Sequence, residues 1–347
     1  MLKEGPLKLR AWHDPLQLSR LASQWCSLWT RCRSATVFQR PEWLLAWVDV
    51  FRPRNLRVIE IRNGERLVGL APLLVYTRDN QRILALMGGG VSDYLDVLID
   101  PEFEAQAVGA LWNFLHDDCS DWDLLELTDL PEASVLLRFH DMHSSVEMHP
   151  HDVCPMLRLP ARKEDLGIVI PFRKRANLRN ARNRTLREGG CRIESANEQT
   201  VSRMLDDMFR LHTSRWHGRG DSGILDDPLI PRFHRGAVPQ LVARDLVKLQ
   251  ALFLNDRMIA ALYNFVEANS VSLYLQAFDP QFAPLSPGSQ IIGVTIEDAI
   301  APGKEYVNFL RGREPYKYAW GAKDTTTFLI SARRVASSSH SLGRQVA

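Results

Sequence analysis

The chain has 347 residues, enough for two domains with their own cores, and its 45% hydrophobic and 24% charged content is that of a globular protein, not a disordered or fibrous one. A formal net charge of +2 excludes nucleic-acid recognition by bulk charge and leaves only local basic patches for that purpose. No apolar run approaches membrane-spanning length, the N-terminus carries no apolar signal segment, and the five cysteines (Cys26, Cys32, Cys119, Cys154, Cys191) form no Cys-x-x-Cys pair, so reduced thiols in a cytoplasmic protein are expected.

In chain order, residues 7–12 read as a strand, and Asp14-Pro15 caps a helix running to about Trp29 with Leu18, Leu21, Trp25 and Leu28 on one side. Pro41 opens a second helix through Trp43, Trp47 and Phe51. Strands at Leu56–Arg62 and Leu67–Tyr76 flank Asn63-Gly64, a hairpin signal, and a third strand spans Arg82–Met87. Gly88-Gly89-Gly90 interrupts the pattern, which resumes as a strand from Tyr94 to Ile99, a helix from Glu102 to His116 and a strand from Trp122 to Thr128. Val146 to Leu159 reads as a connecting strand.

The second half repeats the plan, with strands at Leu246–Leu254, Met258–Glu267 and Ser270–Ala277. Two echoes recur in the same order. Asn63-Gly-Glu-Arg-Leu-Val-Gly-Leu-Ala resembles Asn255-Asp-Arg-Met-Ile-Ala-Ala-Leu, and the Asp100-Pro101-Glu-Phe103 ending resembles Asp279-Pro280-Gln-Phe282. Together they predict an internal duplication.

Between the halves, Phe172 to Arg187 carries seven basic residues and no acidic one, with Arg175, Arg179 and Arg182 on one helical face. This is either a solvated surface helix or a binding face for a polyanion such as coenzyme A phosphates, a nucleotide-linked sugar or tRNA. Asn197 to Trp216 is an amphipathic helix with Met204, Leu205, Met208, Leu211 and His212 inside. Arg215-Trp216-His217-Gly218-Arg219-Gly220 then either lines a pocket mouth or simply anchors the helix end. His140, His143, His149 and His151 cluster in sequence but have no recognised ligand spacing, so no metal is expected. The tail past Ser331 is Ser/Arg-rich and reads as disordered.

The stretch from Tyr274 to Lys317 carries the chemistry. Ser286 suits an N-cap and Pro287 the first helical position, with Ile292, Ile296, Ala299 and Ile300 at helical spacing behind them. The amides of Gly288, Ser289 and Gln290 are expected unpaired at the positive end of this helix. That end is either a phosphate or pyrophosphate site or an ordinary capped start. No Walker loop, dinucleotide fingerprint, His-Glu-x-x-His or nucleophile elbow is present.

Hairpin strands, a phosphate-ready helix, a strand and a short helix bearing tyrosines make an order that resembles the GNAT acyltransferase superfamily. With Phe38-Gln39-Arg40-Pro41-Glu42-Trp43, Ser92-Asp93-Tyr94-Leu95-Asp96, Asn177-Leu178-Arg179, Ser286-Pro287-Gly288 and Phe309-Leu310-Arg311-Gly312 through Tyr316-Lys317, the whole chain from about residue 8 to 330 resembles two-domain proteins of the CelD/BcsL type, associated with cellulose and exopolysaccharide biosynthesis. More distantly it is similar to the Fem aminoacyl-tRNA-dependent ligases of peptidoglycan branching.

The resemblance implies an α/β (α+β) fold of tandem GNAT-like domains, each a mostly antiparallel mixed sheet flanked by helices. The divisions are 1–160, a degenerate domain walling the acceptor cleft; 161–335, the acyl-CoA domain; and a disordered tail at 336–347. It implies direct transfer from acetyl-CoA or another acyl-CoA to an amine or hydroxyl of a sugar-containing or cell-envelope acceptor. An aminoacyl-tRNA-dependent transferase and a non-catalytic scaffold are the rivals. By position, Ser286, Gly288, Ser289 and Gln290 would hold the pyrophosphate, although the usual Gln/Arg-x-x-Gly-x-Gly/Ala loop is absent. Tyr316, with Tyr318 beside it, is the expected acid toward the leaving thiolate, unless both pack in the core, and His217 and Asp93 are candidate bases. Tyr94, Trp216, Arg311, Lys317, Arg175 and Arg179 are expected to bind substrate.

Overall fold

The computed structural model describes residues 5–217 and 223–334, with backbone only for Trp216 and His217. Its strands are β1 (Lys8–Trp12), β2 (Leu56–Asn63), β3 (Arg66–Arg78), β4 (Gln81–Leu86), β5 (Leu98–Ile99), β6 (Leu124–Pro131), β7 (Val146–Arg158), β8 (Cys191–Ser195), β9 (Val247–Leu254), β10 (Arg257–Val266), β11 (Ser270–Phe278), β12 (Tyr306–Asn308) and β13 (Lys323–Arg333). They form one mixed sheet in the order β1-β2-β3-β4-β6-β13-β7-β12-β11-β10-β9-β8, with β5 on β3. The fold class is thus the expected mixed α/β arrangement, a large sheet flanked by helices.

The tight hairpins follow from residues that tolerate positive φ. Asn255 and Asp256 (φ 49° and 63°) join β9 to β10, and Asp79 and Asn80 (φ 50° and 61°) join β3 to β4. Paired positive φ values give a turn whose twist matches that of the strands it connects.

The two sequence echoes make matching hydrogen bonds. The Asp100 amide donates to Val68 O (2.8 Å) and the Asp279 amide to Ile259 O (2.9 Å). Asp100 Oδ1 accepts from the Glu102 amide at 3.2 Å, Asp279 Oδ1 from the Gln281 amide at 3.0 Å. The arginine that opens the strand accepting each amide, Arg66 of β3 or Arg257 of β10, ion-pairs with each aspartate.

The two halves do not stand apart. The last strand, β13, lies between β6 and β7, so the sheet runs without a break across residue 160. One hydrophobic core also draws on both halves, with Trp25, Phe38 and Trp43 from the first and Met208, Phe233, Tyr263 and Phe265 from the second. The Trp43 indole meets the rings of Phe233 at 4.6 Å, Phe265 at 5.3 Å and Tyr274 at 5.5 Å.

Three local readings change. The helix expected from Asp14 to Trp29 is broken into Pro15–Leu18, a 3-10 turn and Ala22–Arg31. The strand expected from Tyr94 to Ile99 shrinks to the two residues of β5, because the segment before it leaves the sheet and is buried between the halves. Helix Leu229–Val242, β8 and β13 were not legible, the first because Pro231 and Pro239 mask its pattern. Strand β13 runs on to Arg333, two residues into the stretch read as a disordered tail, and the tail at 336–347 lies outside the described residues.

Candidate active site

The centre of the site is the start of helix Pro287–Ile300. Ser286 is left-handed (φ 50°, ψ 49°) and its side chain makes no capping bond. Its carbonyl instead takes both the Ser289 amide (3.0 Å) and the Gln290 amide (3.2 Å). The expectation of three unpaired amides is therefore corrected: among the described residues only Gly288 in this turn keeps an N–H without a protein partner. The Gln290 amide is the first to reach back along the helix and was never an orphan. The Gln290 side chain is buried and donates to Thr185 Oγ1 (2.7 Å) and Leu285 O (2.8 Å), tying the helix start to its neighbours.

Gly288 has a reason to be glycine. A Cβ there would lie 2.9 Å from Gln276 Nε2 and 3.2 Å from Phe278 Cδ1, and its carbonyl already accepts from Gln276 Nε2 at 2.7 Å. Beside it Lys174 Nζ donates to Ser289 Oγ at 3.0 Å and sits 4.1 Å from the Trp320 ring centroid. Burial lowers the Lys174 pKa, since its ammonium has lost water. No acidic residue occupies the helix's first turn. A glycine, a lysine and a helix dipole of the same sign meet at one spot, an arrangement suited to an anion.

The sheet opens next to this spot. β12 pairs with β11 only at Ser270–Ser272, then turns along β7, where the Phe309 amide donates to Pro155 O at 2.8 Å. The rest of β11 thus has no ladder partner on that edge, and its register with β10 skips Tyr274, a bulge. Gln276 and Phe278 come off this open segment and line a cleft of about 550 Å³ together with His212, Arg215, Ser286, Gly288, Ser289, Glu314 and Tyr316.

Tyr316 is 43% exposed, with its ring 6.4 Å from that of Phe309. Desolvation, then the Glu314 carboxylate, push its phenol up to about 12, while Arg215 acts in the opposite sense. The hydroxyl is protonated at neutral pH and can donate. Burial first and Arg215 second push His212 down to about 4, so its imidazole is neutral. The Arg215 guanidinium lies 4.2 Å from the Phe278 ring centroid. Tyr318 is elsewhere, its hydroxyl donating to Asp324 at 2.7 Å.

A second polar cluster lies where the halves meet. Arg311 Nε is 3.2 Å from Asp93 Oδ1, its Nη1 3.2 Å from Asp129 Oδ1, and its Nη2 donates to Ser92 O at 3.3 Å. Desolvation raises the pKa of both carboxylates against the pull of Arg311. The Tyr94 hydroxyl, buried, accepts from Asn308 Nδ2 at 2.9 Å, and the Tyr274 hydroxyl donates to Val91 O at 2.7 Å. Lys317 is 2% exposed and gives its ammonium to the carbonyls of Leu310 (2.9 Å), Arg311 (2.6 Å) and Gly312 (3.2 Å) and to Glu314 (2.9 Å). Its three donors are consumed, so it holds the loop and has none left for a ligand.

Of the expected site residues, Tyr316, Ser286, Gly288 and Ser289 converge on the cleft, with Gln290 bracing it. Asp93, Tyr94, Arg311 and Lys317 form the inter-half cluster. Arg175 donates to Ile170 O at 3.2 Å, Arg179 is exposed, and neither lines the cleft. The side chains of His217 and Trp216 lie outside the described residues. Sequence reading missed Lys174, Gln276, Phe278, Glu314 and Asp129. A lone lysine among arginines and a glutamine on an otherwise apolar strand were the available signals. The histidines disperse, His140 bonding Val146 O (2.8 Å) and His143 stacking on Trp112 (4.2 Å). Among the described residues no group of three His, Cys, Asp or Glu could hold a metal.

Residues 173–318 match the model of an acetyltransferase (GNAT) domain, which spans the open strand, the helix start and the Tyr316 helix. No curated protein matches the sequence. The fold is similar to the crystal structure of FemX (10% identity, 92% of this chain and 96% of that one, TM-score 0.66). It is also similar to L-PGS from Bacillus licheniformis (13%, 92% and 92%, TM-score 0.57). A third likeness is to the C-terminal domain of a putative lysylphosphatidylglycerol synthetase from Agrobacterium fabrum (12%, 90% and 91%, TM-score 0.55). At these identities the structural likenesses speak for the fold alone. Residues 173–318, with the open strand, the helix start and the Tyr316 helix, thus carry a GNAT-type acyltransferase domain.

Proposed function

We propose that the protein transfers an acyl group from an acyl-CoA, with acetyl-CoA the first candidate, directly to an amine or hydroxyl of a sugar-containing or cell-envelope acceptor. The observation that carries this reading is the coincidence of one unpaired amide at Gly288, the Lys174 ammonium and a protonated Tyr316 around the same cleft. The pyrophosphate would lie at Gly288 and Ser289, within reach of Lys174, and the pantetheine along the unpaired edge of β11.

In the transfer itself, the acceptor's lone pair forms the new bond to the thioester carbon and the C–S bond breaks. The departing sulfur takes the Tyr316 proton. A base must take the acceptor's proton, and neutral His212, which lines the same cleft, fits better than Asp93, which Arg311 already engages. We assign residues 1–160 to a repeat that has become the wall of the acceptor site and residues 161–335 to the donor-binding repeat. A role in cellulose or exopolysaccharide synthesis is the most specific form of the proposal.

A second reading, transfer of an aminoacyl group, is favoured by the likeness to FemX over nearly the whole of both chains. Calorimetric titration of the purified protein with acetyl-CoA and longer acyl-CoAs separates the two. Saturable heat that Gly288→Val abolishes is the expected result. No heat with any thioester overturns the acyl-CoA reading and leaves the aminoacyl one.

A further inference from the structure

Helix Phe172–Glu188 turns its small residues, Ala181 and Thr185, inward against helix Pro287–Ile300, with Gly293 meeting Leu178. Its outer face is unlike ordinary surface. Ile168, Phe172 and Leu186 are 82%, 74% and 65% exposed, three of the four most exposed large hydrophobic side chains among the described residues. They belong to one surface. Gly167 packs on the Arg175 guanidinium, its would-be Cβ 3.2 Å away, which sets the Ile168 turn against the first turn of the long helix.

Phe172 and Leu186 are fourteen positions apart, about 21 Å along the axis at about 1.5 Å per residue, and only about 40° apart around it. Arg175 and Arg179 fall on the same side between them. Arg173, Arg179 and Arg187 are exposed and make no ion pair among the described residues, whereas Arg182 pairs with Glu297 (2.8 Å) on the inner side. Behind Ile168 lies a cleft of about 450 Å³ walled by Met156, Val169 and Tyr306 together with Arg158, Lys323 and Asp324.

Unpaired cations flanked by bare aliphatic and aromatic side chains are what an anionic bilayer surface recognises. The arginines meet lipid phosphates and the apolar side chains enter the headgroup boundary. A nucleic acid would meet the arginines equally well, but it gives Ile168 and Leu186 nothing to bury against. We propose that the outer face of helix Phe172–Glu188, with Ile168, is a docking surface for an anionic lipid membrane. The inference is independent of which acyl donor the cleft takes.

The test is co-sedimentation of the full chain with vesicles of phosphatidylcholine alone and of phosphatidylcholine mixed with phosphatidylglycerol, at low and high salt. Pelleting with the anionic vesicles only, weakened by salt, is expected. Arg173→Gln and Arg187→Gln should each weaken it about fivefold. The Phe172→Asp, Leu186→Asp pair should weaken it further at any salt, with the melting curve of each variant reporting that it still folds. Equal pelleting with both vesicle types, or with neither, overturns the proposal. So does a loss of tRNA binding in the arginine variants while vesicle binding is unchanged, which would assign the face to nucleic acid.

Discussion

The two halves begin alike and diverge at one strand. In the second, β11 runs continuously from Ser270 to Phe278, parts from β12 after three pairs and leaves an open edge beside a helix start free of acidic residues. In the first, the corresponding strand is cut in two. β4 pairs with β3 and, in parallel, with β6, then residues 87–97 leave the sheet before β5 rejoins β3 at Gly69 and Leu70. The inserted segment crosses to the other half, where Val91, Ser92, Asp93 and Tyr94 are held by Tyr274, Arg311 and Asn308. The helix after it starts with Glu102 and Glu104, negative charge where the second half has Lys174. Two similar strand plans thus give an open, anion-favouring cleft and a closed, interlocked partner, and the difference lies in strand continuity and the charge of one helical turn.

The contrast can be broken at its chemical end first. Tyr316→Phe should lower kcat by about 10²- to 10⁴-fold with little change in the KM for the thioester, as expected for loss of a proton donor used only at the transition state. Because the phenol is held at about 12, activity should show no alkaline limb from this group below that pH. A KM effect alone would demote Tyr316 to a packing residue.

The interlock is the next target. Arg311→Met leaves Asp93 and Asp129 partly buried without their common cation, and urea unfolding should show a loss on the order of 3 kcal/mol. Unchanged stability would mean that the inserted segment is held by its aromatic contacts instead. A smaller effect is expected at the helix start, where Gly288→Ala crowds Gln276 and Phe278 and should weaken coenzyme binding by about tenfold. Glu104→Gln, at the matching turn of the first half, should leave it unchanged.

A last test is a titration inside the inserted segment. Asp96 is fully desolvated, and burial raises its carboxyl to about 7 despite bonds from Ser134 Oγ (2.7 Å) and the Val97 amide (2.8 Å). The unfolded group titrates near about 4. Its contribution to stability is therefore full below that pH and is lost as pH rises through 7. Asp96→Asn keeps the Oδ1 acceptor for both donors and cannot ionise. Its melting temperature should gain on the parent between pH 4 and 8, and parallel curves would refute the shift.

Much of this was legible in the residues themselves. The hairpin turns at Asn63-Gly64 and Asn255-Asp256, the helix opened by Pro287 and the paired Asp-Pro motifs are local effects, set by φ preferences and capping within a few positions of the chain. The matching bonds of Asp100 and Asp279 show that the echoes were structural. Tertiary structure decided the rest. Whether an amide at a helix start is free depends on where the Ser286 carbonyl points, and whether Lys317 serves a ligand depends on three carbonyls that fold back upon it. β13 has too weak an alternation to declare itself, yet it closes the sheet between β6 and β7, because only long-range pairing gives its backbone groups partners. Local sequence chose the turns, caps and strand periods. Burial and distant pairing chose which of two similar halves is open.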